Sequence, residues 1–170
     1  MSATTFNTAL LILRVCLGLM IAAHGYGKFF RGGKIPGTAG WFDSMGMRPG
    51  KLHAVLAAST ETGAGLMMAV GLLTPLAAAG IVGLMVVAGY TVHRGKGFFI
   101  VASGWEYNFI LSIVAVGIAM LGPGEWSIDH AAGIVDDLAG WRGLAISAGL
   151  GVAASIGQLA VFYRPPASQG

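Results

Sequence analysis

Ionisable side chains occur inside stretches of the sequence that are otherwise apolar. Arg14 and His24 lie in the segment "LLILRVCLGLMIAAHGYGKFF", and Glu61 lies near the middle of a second apolar stretch. An ionised side chain at mid-membrane costs about 2.5 kcal/mol or more, so such residues usually pair and face the interior of a helical bundle. An arginine and a glutamate can form a bidentate pair. We therefore predict an ion pair between Arg14 and Glu61, with either a functional or a purely structural role.

A second group of residues is expected where apolar segments end on one side of the membrane. It consists of His24, His93, Glu106, Tyr90 and Trp105. A quinone needs hydrogen-bond donors at its carbonyls, a protonatable group and apolar walls, and this set offers all three. Two histidines could instead bind a b-type haem, and histidine with glutamate a metal. The remaining alternative is that these are ordinary side chains at the level of the lipid headgroups.

The composition is that of an integral membrane protein. Of the 170 residues, 55% are hydrophobic and only 10% are charged, whereas soluble domains have about 25% charged residues. A helix needs about 20 apolar residues to cross a bilayer. The sequence predicts five such helices, at residues 6–29, 52–73, 75–93, 105–123 and 141–163. No basic region precedes the first one, which favours a membrane anchor over a secretory signal.

The basic residues indicate an orientation. If the five spans alternate in direction, eight basic residues share one side of the membrane, which the positive-inside rule places in the cytoplasm. These residues are Lys28, Arg31, Lys34, Arg48, Lys51, Arg94, Lys96 and Arg164. The N-terminus is then outside and the C-terminus inside the cell. This distribution does not indicate nucleic-acid binding.

The loops carry weaker signals. The long first loop predicts a short interfacial helix or re-entrant segment, acting as an aromatic anchor or as a lid over a substrate. Residues 95–104 are apolar but too short to span, which predicts a re-entrant segment. Ser127 is a candidate N-cap of an interfacial helix with Asp129 in its first turn. His53 and His130 lie in or beside loops, and we expect both to be solvated.

Small residues at a spacing of four predict helix contacts inside the membrane. On the second span, Glu61 shares such a face with Gly65, so it should point into the bundle. On the fifth span Gly149, Ala153 and Gly157 form a stripe suited to a partner helix. The single cysteine, Cys16, excludes an internal disulfide or a CxxC pair. Redox chemistry would therefore need a bound cofactor or a partner.

Several of these segments together resemble the DoxX family of small bacterial membrane proteins, which is related to the DoxD-type subunit of thiosulfate:quinone oxidoreductase. They are residues 13–29, 40–47, 61–78, 93–99 and 106–129, which include "LRVCLGLMIAAHGYGKF" and "ETGAGLMMAVGLLTPLAA". The resemblance implies an all-α integral membrane fold, with a four-helix transmembrane bundle in residues 1–140. Residues 141–170 would add a fifth C-terminal transmembrane helix. The family positions map onto Arg14, His24, Gly25, Lys28, Glu61, Gly71, His93, Gly97, Phe98, Glu106 and Asp129.

The resemblance also implies a redox role. Some members are similar to quinone-reducing subunits, and others to a membrane component of a thiol-redox stress complex. We therefore expect an oxidoreductase subunit that exchanges electrons with menaquinone or ubiquinone, with no haem or metal. Its carbonyl-binding residues would be His24 and His93, and Glu106 and Glu61 would be catalytic. The alternative is a non-catalytic scaffold in a membrane complex or a homo-oligomer.

Overall fold

The structure is a computed structural model that describes residues 2–165, and within that range it is helical. Three of the helices are long and apolar enough to cross a membrane, namely Ala3–Phe30, Thr74–His93 and Gly140–Phe162. The two other predicted spans correspond to a helix of 21 residues and an apolar helix of 16 residues. The helices are α1 (Ala3–Phe30), α2 (Lys34–Ser44), α3 (Gly50–Val70), α4 (Thr74–Ala88), α5 (Glu106–Leu121), α6 (Ile128–Ala131), α7 (Val135–Leu138), α8 (Gly140–Leu144) and α9 (Gly151–Phe162).

Two of these elements continue through π-helical turns. The turn Gly89–His93 extends α4, and the turn Ala145–Leu150 joins α8 to α9. The continuous helix Gly140–Phe162 is called the C-terminal helix below. The all-helical membrane fold predicted from the sequence is thus confirmed, while the count of four spans plus one stays a prediction.

Helices α1 and α3 pack closely against each other through small residues. A Cβ atom on Gly18 would lie 2.4 Å from the carbonyl oxygen of Gly65, and one on Gly65 would lie 2.5 Å from the backbone nitrogen of Ala22. The two backbones therefore touch directly, as small residues allow in membrane helices. This contact fixes how α1 and α3 are aligned along their lengths.

The turn between α3 and α4 is held by an acidic residue from a distant segment. The buried Asp129 carboxylate accepts hydrogen bonds from the backbone N–H groups of Leu73 (2.6 Å) and Thr74 (2.9 Å) and from the Thr74 hydroxyl (2.7 Å). These N–H groups open α4 and have no partner within their own helix, and a carboxylate there also complements the helix dipole. Gly71, in the left-handed conformation with φ 66°, makes this turn possible.

The helix predicted after Pro123 is confirmed in outline. The Ser127 side chain accepts a hydrogen bond from the His130 N–H at 3.1 Å and so caps α6. The segment forms two short helices, α6 and α7, rather than one. His130 is exposed, as expected, and α2 is the helix expected in the first loop.

The C-terminal helix packs on α4 and α5 through a face of small residues. That face is formed by Gly143, Ser147, Gly151 and Ser155, all of them buried. The predicted stripe of Gly149, Ala153 and Gly157 lies on exposed positions of the same helix. The stripe is therefore free of contact with the bundle, and its use by a partner stays a prediction.

The two ends of the bundle differ in charge. At one end α1 and α4 finish and α3 and α5 begin, and a backbone bond of 2.8 Å from Arg164 N–H to the Gly46 carbonyl brings the C-terminal helix to the same end. This "basic end" carries the eight basic residues named above. The opposite "acidic end" holds α6 and α7 and includes Glu125, Asp129, Asp136 and Asp137.

Candidate ligand-binding cavity

A cavity of about 510 Å³ lies between α3, α4 and the C-terminal helix, with α2 at its basic end. We call it the ion-pair cavity. Its walls are mostly aliphatic and small residues, and Trp41, Phe42 and Met45 of the first loop line it as well. Leu56, Leu76 and Leu150 line the cavity and are also about half exposed at the protein surface. In a membrane protein such exposed apolar walls adjoin lipid, so the cavity opens toward the lipid phase.

An ion pair forms part of the cavity wall. The Lys28 ammonium contacts both carboxylate oxygens of Glu61, at 2.7 Å and 2.6 Å. The Lys28 side chain is 22% exposed and that of Glu61 is 11% exposed. Lys28 is in the last turn of α1, and its four-carbon arm can place the charged group away from its backbone position. Glu61 faces inward, as predicted from its small-residue face.

The predicted pair of Arg14 with Glu61 is not formed. The Arg14 guanidinium instead donates to two backbone carbonyls, that of Ala69 at 2.5 Å and that of Trp126. The reason is the α1–α3 alignment, which places Arg14 beside Ala69. Eight residues separate Ala69 from Glu61, or about 12 Å along the helix axis, which is beyond the reach of one arginine. Arg14 therefore joins α1 to α3 and to the acidic end.

His53 is another polar residue of the cavity, and the expectation that it is solvated is wrong. The residue is only 1% exposed, because α2 and the C-terminal helix both cover the start of α3. Its ring packs against Phe42 and Phe162, with centroid distances of 6.0 Å and 4.9 Å. Its Nδ1 lies 3.0 Å from Gln158 Nε2, while its Nε2 has no hydrogen-bond partner within residues 2–165.

The second predicted group does not form a single pocket. His24 lies on an exposed position of α1, one residue from the face that packs on α3. It lines neither the ion-pair cavity nor a second cavity between α4, α5 and the C-terminal helix. His93 and Glu106 hold the loop between α4 and α5, through contacts of His93 Nδ1 with the Ser103 carbonyl (2.6 Å) and of Glu106 Oε2 with the Ile100 N–H (2.8 Å).

Tyr90 and Trp105 are the members of that group that share a cavity. They line a second cavity, of about 640 Å³, between α4, α5 and the C-terminal helix. The sequence predicted the correct end of the bundle for all five residues, but the faces of their helices separate them. The loop that follows α4 is largely exposed and contains a single turn of 3₁₀ helix, Ile100–Ala102.

Sequence reasoning missed Lys28 as the partner of Glu61, and it missed His53 and Gln158 as cavity residues. A signal for Lys28 was present, since it is the basic residue in the last turn of α1 and Gly25 lies one turn before it. A Cβ on Gly25 would meet Thr62, the neighbour of Glu61, at 2.4 Å. Once Gly25 and Thr62 are placed at the same level, Lys28 is the nearest cation to Glu61.

The family model named DoxX matches residues 9–94, about half of the chain. This chain belongs to the DoxX family. The matched part runs from α1 to the end of α4, and it contains both Lys28 and Glu61. It ends before α5 and the C-terminal helix, which supply the rest of the bundle. No curated protein and no solved structure matches the chain.

Membership of the DoxX family agrees with the apolar helices, and together they make the protein a membrane protein. The ion-pair cavity is built only partly by the family region. Helix α3, α4 and the first loop belong to that region, whereas Leu150, Gly151, Ala154, Ser155 and Gln158 of the C-terminal helix lie beyond it. A relation to DoxD stays a prediction.

Proposed function

We propose that this DoxX protein is a membrane subunit that binds the headgroup of an isoprenoid quinone in the ion-pair cavity. The observation that carries the proposal is the Lys28–Glu61 pair at the wall of an apolar cavity that adjoins lipid. Intramembrane charges of this kind indicate a functional site by default. Apolar cavities with a few convergent polar groups are typical ligand sites.

The donor set suits a quinone. The Lys28 ammonium has three N–H groups. Two of them donate to Glu61, so the third can donate to a quinone carbonyl. His53 lines the cavity as well, and its Nε2, buried and without a partner in the described chain, can serve the same purpose once the side chains that cover it move aside. The isoprenoid tail would leave the cavity between the exposed leucines of its rim. A bound quinone supplies redox chemistry, and Glu61 lies where it can hold or release the accompanying proton.

The electrons need another source. The chain has one cysteine, and Cys16 lies at the surface of α1 away from the cavity. None of the cavity side chains is a redox centre, so an oxidoreductase role implies a partner subunit that carries a cofactor. This requirement agrees with the general link of the DoxX family to oxidoreductase and stress-related functions.

We also propose that α1, α3, α4, α5 and the C-terminal helix each cross the bilayer of a bacterial plasma membrane. The basic end then faces the cytoplasm, by the positive-inside rule. A membrane-impermeant label should react in intact cells with a cysteine introduced at Glu125 and not with one introduced at Lys96. The reverse pattern would invert the orientation.

The proposal is tested by removing both charges of the pair. The double variant Lys28→Met, Glu61→Gln replaces both charged groups by neutral ones of similar size, so that neither partner is left in the bundle as an unpaired charge. We expect a short-chain quinone titrated into the protein in nanodiscs to bind about 10- to 100-fold more weakly, as expected for the loss of one charge-assisted hydrogen bond.

The matched control is the double variant Arg142→Met, Asp137→Gln, which removes the exposed salt bridge at the acidic end. It should bind the quinone like the wild type. Equal affinity of the wild type and the Lys28→Met, Glu61→Gln variant would refute the assignment of the ion pair to quinone binding. Circular dichroism and thermal unfolding of each variant establish that it is folded.

A scaffold is the second candidate function, and the exposed stripe of Gly149, Ala153 and Gly157 favours it. Two adjacent alanines separate the candidates, because Ala154 lines the ion-pair cavity and Ala153 belongs to the stripe. If the cavity is the functional site, Ala154→Phe should weaken quinone binding at least about tenfold by filling it, and Ala153→Phe should not. Loss of co-purifying proteins with Ala153→Phe and normal function with Ala154→Phe would favour the scaffold.

A further inference from the structure

The second cavity differs from the ion-pair cavity in its charge, because its lining residues include an arginine but no acidic residue. It lies between α4, α5 and the C-terminal helix, and its walls include Val86, Phe109, Ile113, Val116 and Val152. Phe109, Ile113 and Val152 are also exposed at the protein surface. The cavity is therefore a lipid-facing groove with an apolar floor and a volume of about 640 Å³. We call it the Arg94 groove.

Arg94, at the basic end of this groove, is a cation without a carboxylate partner among residues 2–165. Arg94 lines it and stacks on the Tyr90 ring, with 4.7 Å between the guanidinium carbon and the ring centroid. Its only hydrogen bond within residues 2–165 is to the Tyr90 hydroxyl, at 2.5 Å. The remaining guanidinium N–H groups are free for an anion, and a guanidinium matches phosphate in a bidentate manner.

A buried acceptor in the groove also lacks a partner. Asn108 is 7% exposed, and its amide nitrogen contacts the Met85 sulfur at 3.6 Å. Its Oδ1 has no hydrogen-bond partner in the described part of the chain. Most buried polar atoms are hydrogen-bonded, so an unpaired one indicates a missing donor. Oδ1 itself has almost no accessible surface, so a donor in the groove reaches it when the side chains that cover it move aside. Asn108 lies in the first turn of α5, at the same end of the bundle as Arg94.

We propose that the Arg94 groove binds an anionic glycerophospholipid whose headgroup carries a hydroxyl, such as phosphatidylglycerol. The phosphate pairs with the Arg94 guanidinium, and a headgroup hydroxyl donates to Asn108 Oδ1. One acyl chain occupies the apolar floor between α5 and the C-terminal helix. Basic sites between transmembrane helices are suited to anionic headgroups, because phosphate supplies the missing charge. The lipid fills a gap that α4, α5 and the C-terminal helix leave open. This lipid site does not depend on quinone binding in the ion-pair cavity.

The test is native mass spectrometry of the full chain released from nanodiscs that contain equal amounts of phosphatidylglycerol and phosphatidylcholine. The wild type should retain phosphatidylglycerol in preference to phosphatidylcholine, and Arg94→Gln should lower the retained phosphatidylglycerol about fivefold. The matched control is Arg31→Gln, since Arg31 is also an exposed arginine at the basic end that stacks on a tyrosine but lines neither cavity.

A second variant tests the groove itself. Gly89 lines the groove, and a Cβ there meets no atom within 4 Å, so Gly89→Leu fills the groove without a clash at that atom. It should release the lipid, whereas Gly63→Leu on the exposed face of α3 should not. Two results would overturn the proposal: Arg31→Gln lowering the retained phosphatidylglycerol as much as Arg94→Gln, or Gly89→Leu leaving it unchanged. Either would indicate general attraction of anionic lipid to the basic end.

Discussion

Replacing Asp129 with alanine is expected to lower the free energy of unfolding by at least about 3 kcal/mol. Asp129 is only 1% exposed, and its carboxylate accepts three hydrogen bonds from Leu73 and Thr74. Each hydrogen bond to a charged group contributes about 1.5 to 3 kcal/mol, although such contributions are not additive. Alanine would leave the first donors of α4 without an acceptor and would release α6 from the α3–α4 turn.

Denaturant titration in mild detergent micelles, followed by circular dichroism, measures this loss. The control is Asp137→Ala at the same end of the bundle, because Asp137 is exposed and its contact with Arg142 is 3.5 Å long. Its effect should stay within about 0.5 kcal/mol. If Asp129→Ala has as small an effect as Asp137→Ala, the hydrogen bonds of Asp129 to the α3–α4 turn contribute little to stability.

A leucine at Gly65 is expected to have an effect at least as large. A Cβ at that position would lie 2.5 Å from the Ala22 nitrogen and 2.6 Å from the Gly18 carbonyl oxygen. Both are backbone atoms, so no side-chain rotation can relieve the contact and α1 must move away from α3. Overpacking usually costs about 1 to 3 kcal/mol, and a backbone contact belongs at or above the upper end of that range.

Gly63→Leu is the matched control for Gly65→Leu. Gly63 lies on the same helix, two residues away, and a Cβ there meets nothing within 4 Å. We expect the Gly63 variant to unfold at nearly the wild-type temperature in a detergent thermal-shift measurement, and the Gly65 variant to unfold far earlier or not to accumulate. Similar transitions for the two variants would contradict the close α1–α3 contact on which the position of Lys28 depends.

The sequence predicted those parts of the fold that depend on composition and local pattern. The length of the apolar segments predicted the long helices, and the serine at position 127 predicted the N-cap of α6. The small-residue face of α3 predicted that Glu61 points inward. Each of these inferences needs only residues close together in the chain, because the membrane itself restricts spanning structures to helices.

The predictions that failed depend on how helices are aligned. The predicted pair of Arg14 with Glu61 requires an alignment of α1 and α3 that one arginine side chain can bridge, but the Gly18–Gly65 contact sets a different alignment and brings Lys28 to the carboxylate. His53 was expected to be solvated because it follows a loop, yet two distant segments fold over it. His24 and His93 were expected to share a pocket because they lie at the same depth, but depth does not determine which face of a helix a residue occupies.

The family also limits what the sequence could predict about the site. The DoxX match ends at residue 94, so it covers Lys28, Glu61 and His53 but not Gln158 or the rest of the C-terminal helix. The ion-pair cavity requires both parts of the chain. The charged wall lies within the family match, whereas the cavity is completed by the C-terminal helix, which lies outside it.

The central claim is that the ion-pair cavity holds a quinone, and the quinone content of the purified protein tests it most directly. The wild type and the Lys28→Met, Glu61→Gln variant are purified from their own membranes in mild detergent, and extracted lipids are quantified by chromatography and mass spectrometry. The account predicts close to one quinone per wild-type chain and only the bulk-membrane level in the variant. Bulk-membrane levels in both proteins would contradict the claim and leave the Lys28–Glu61 pair as a structural contact between α1 and α3.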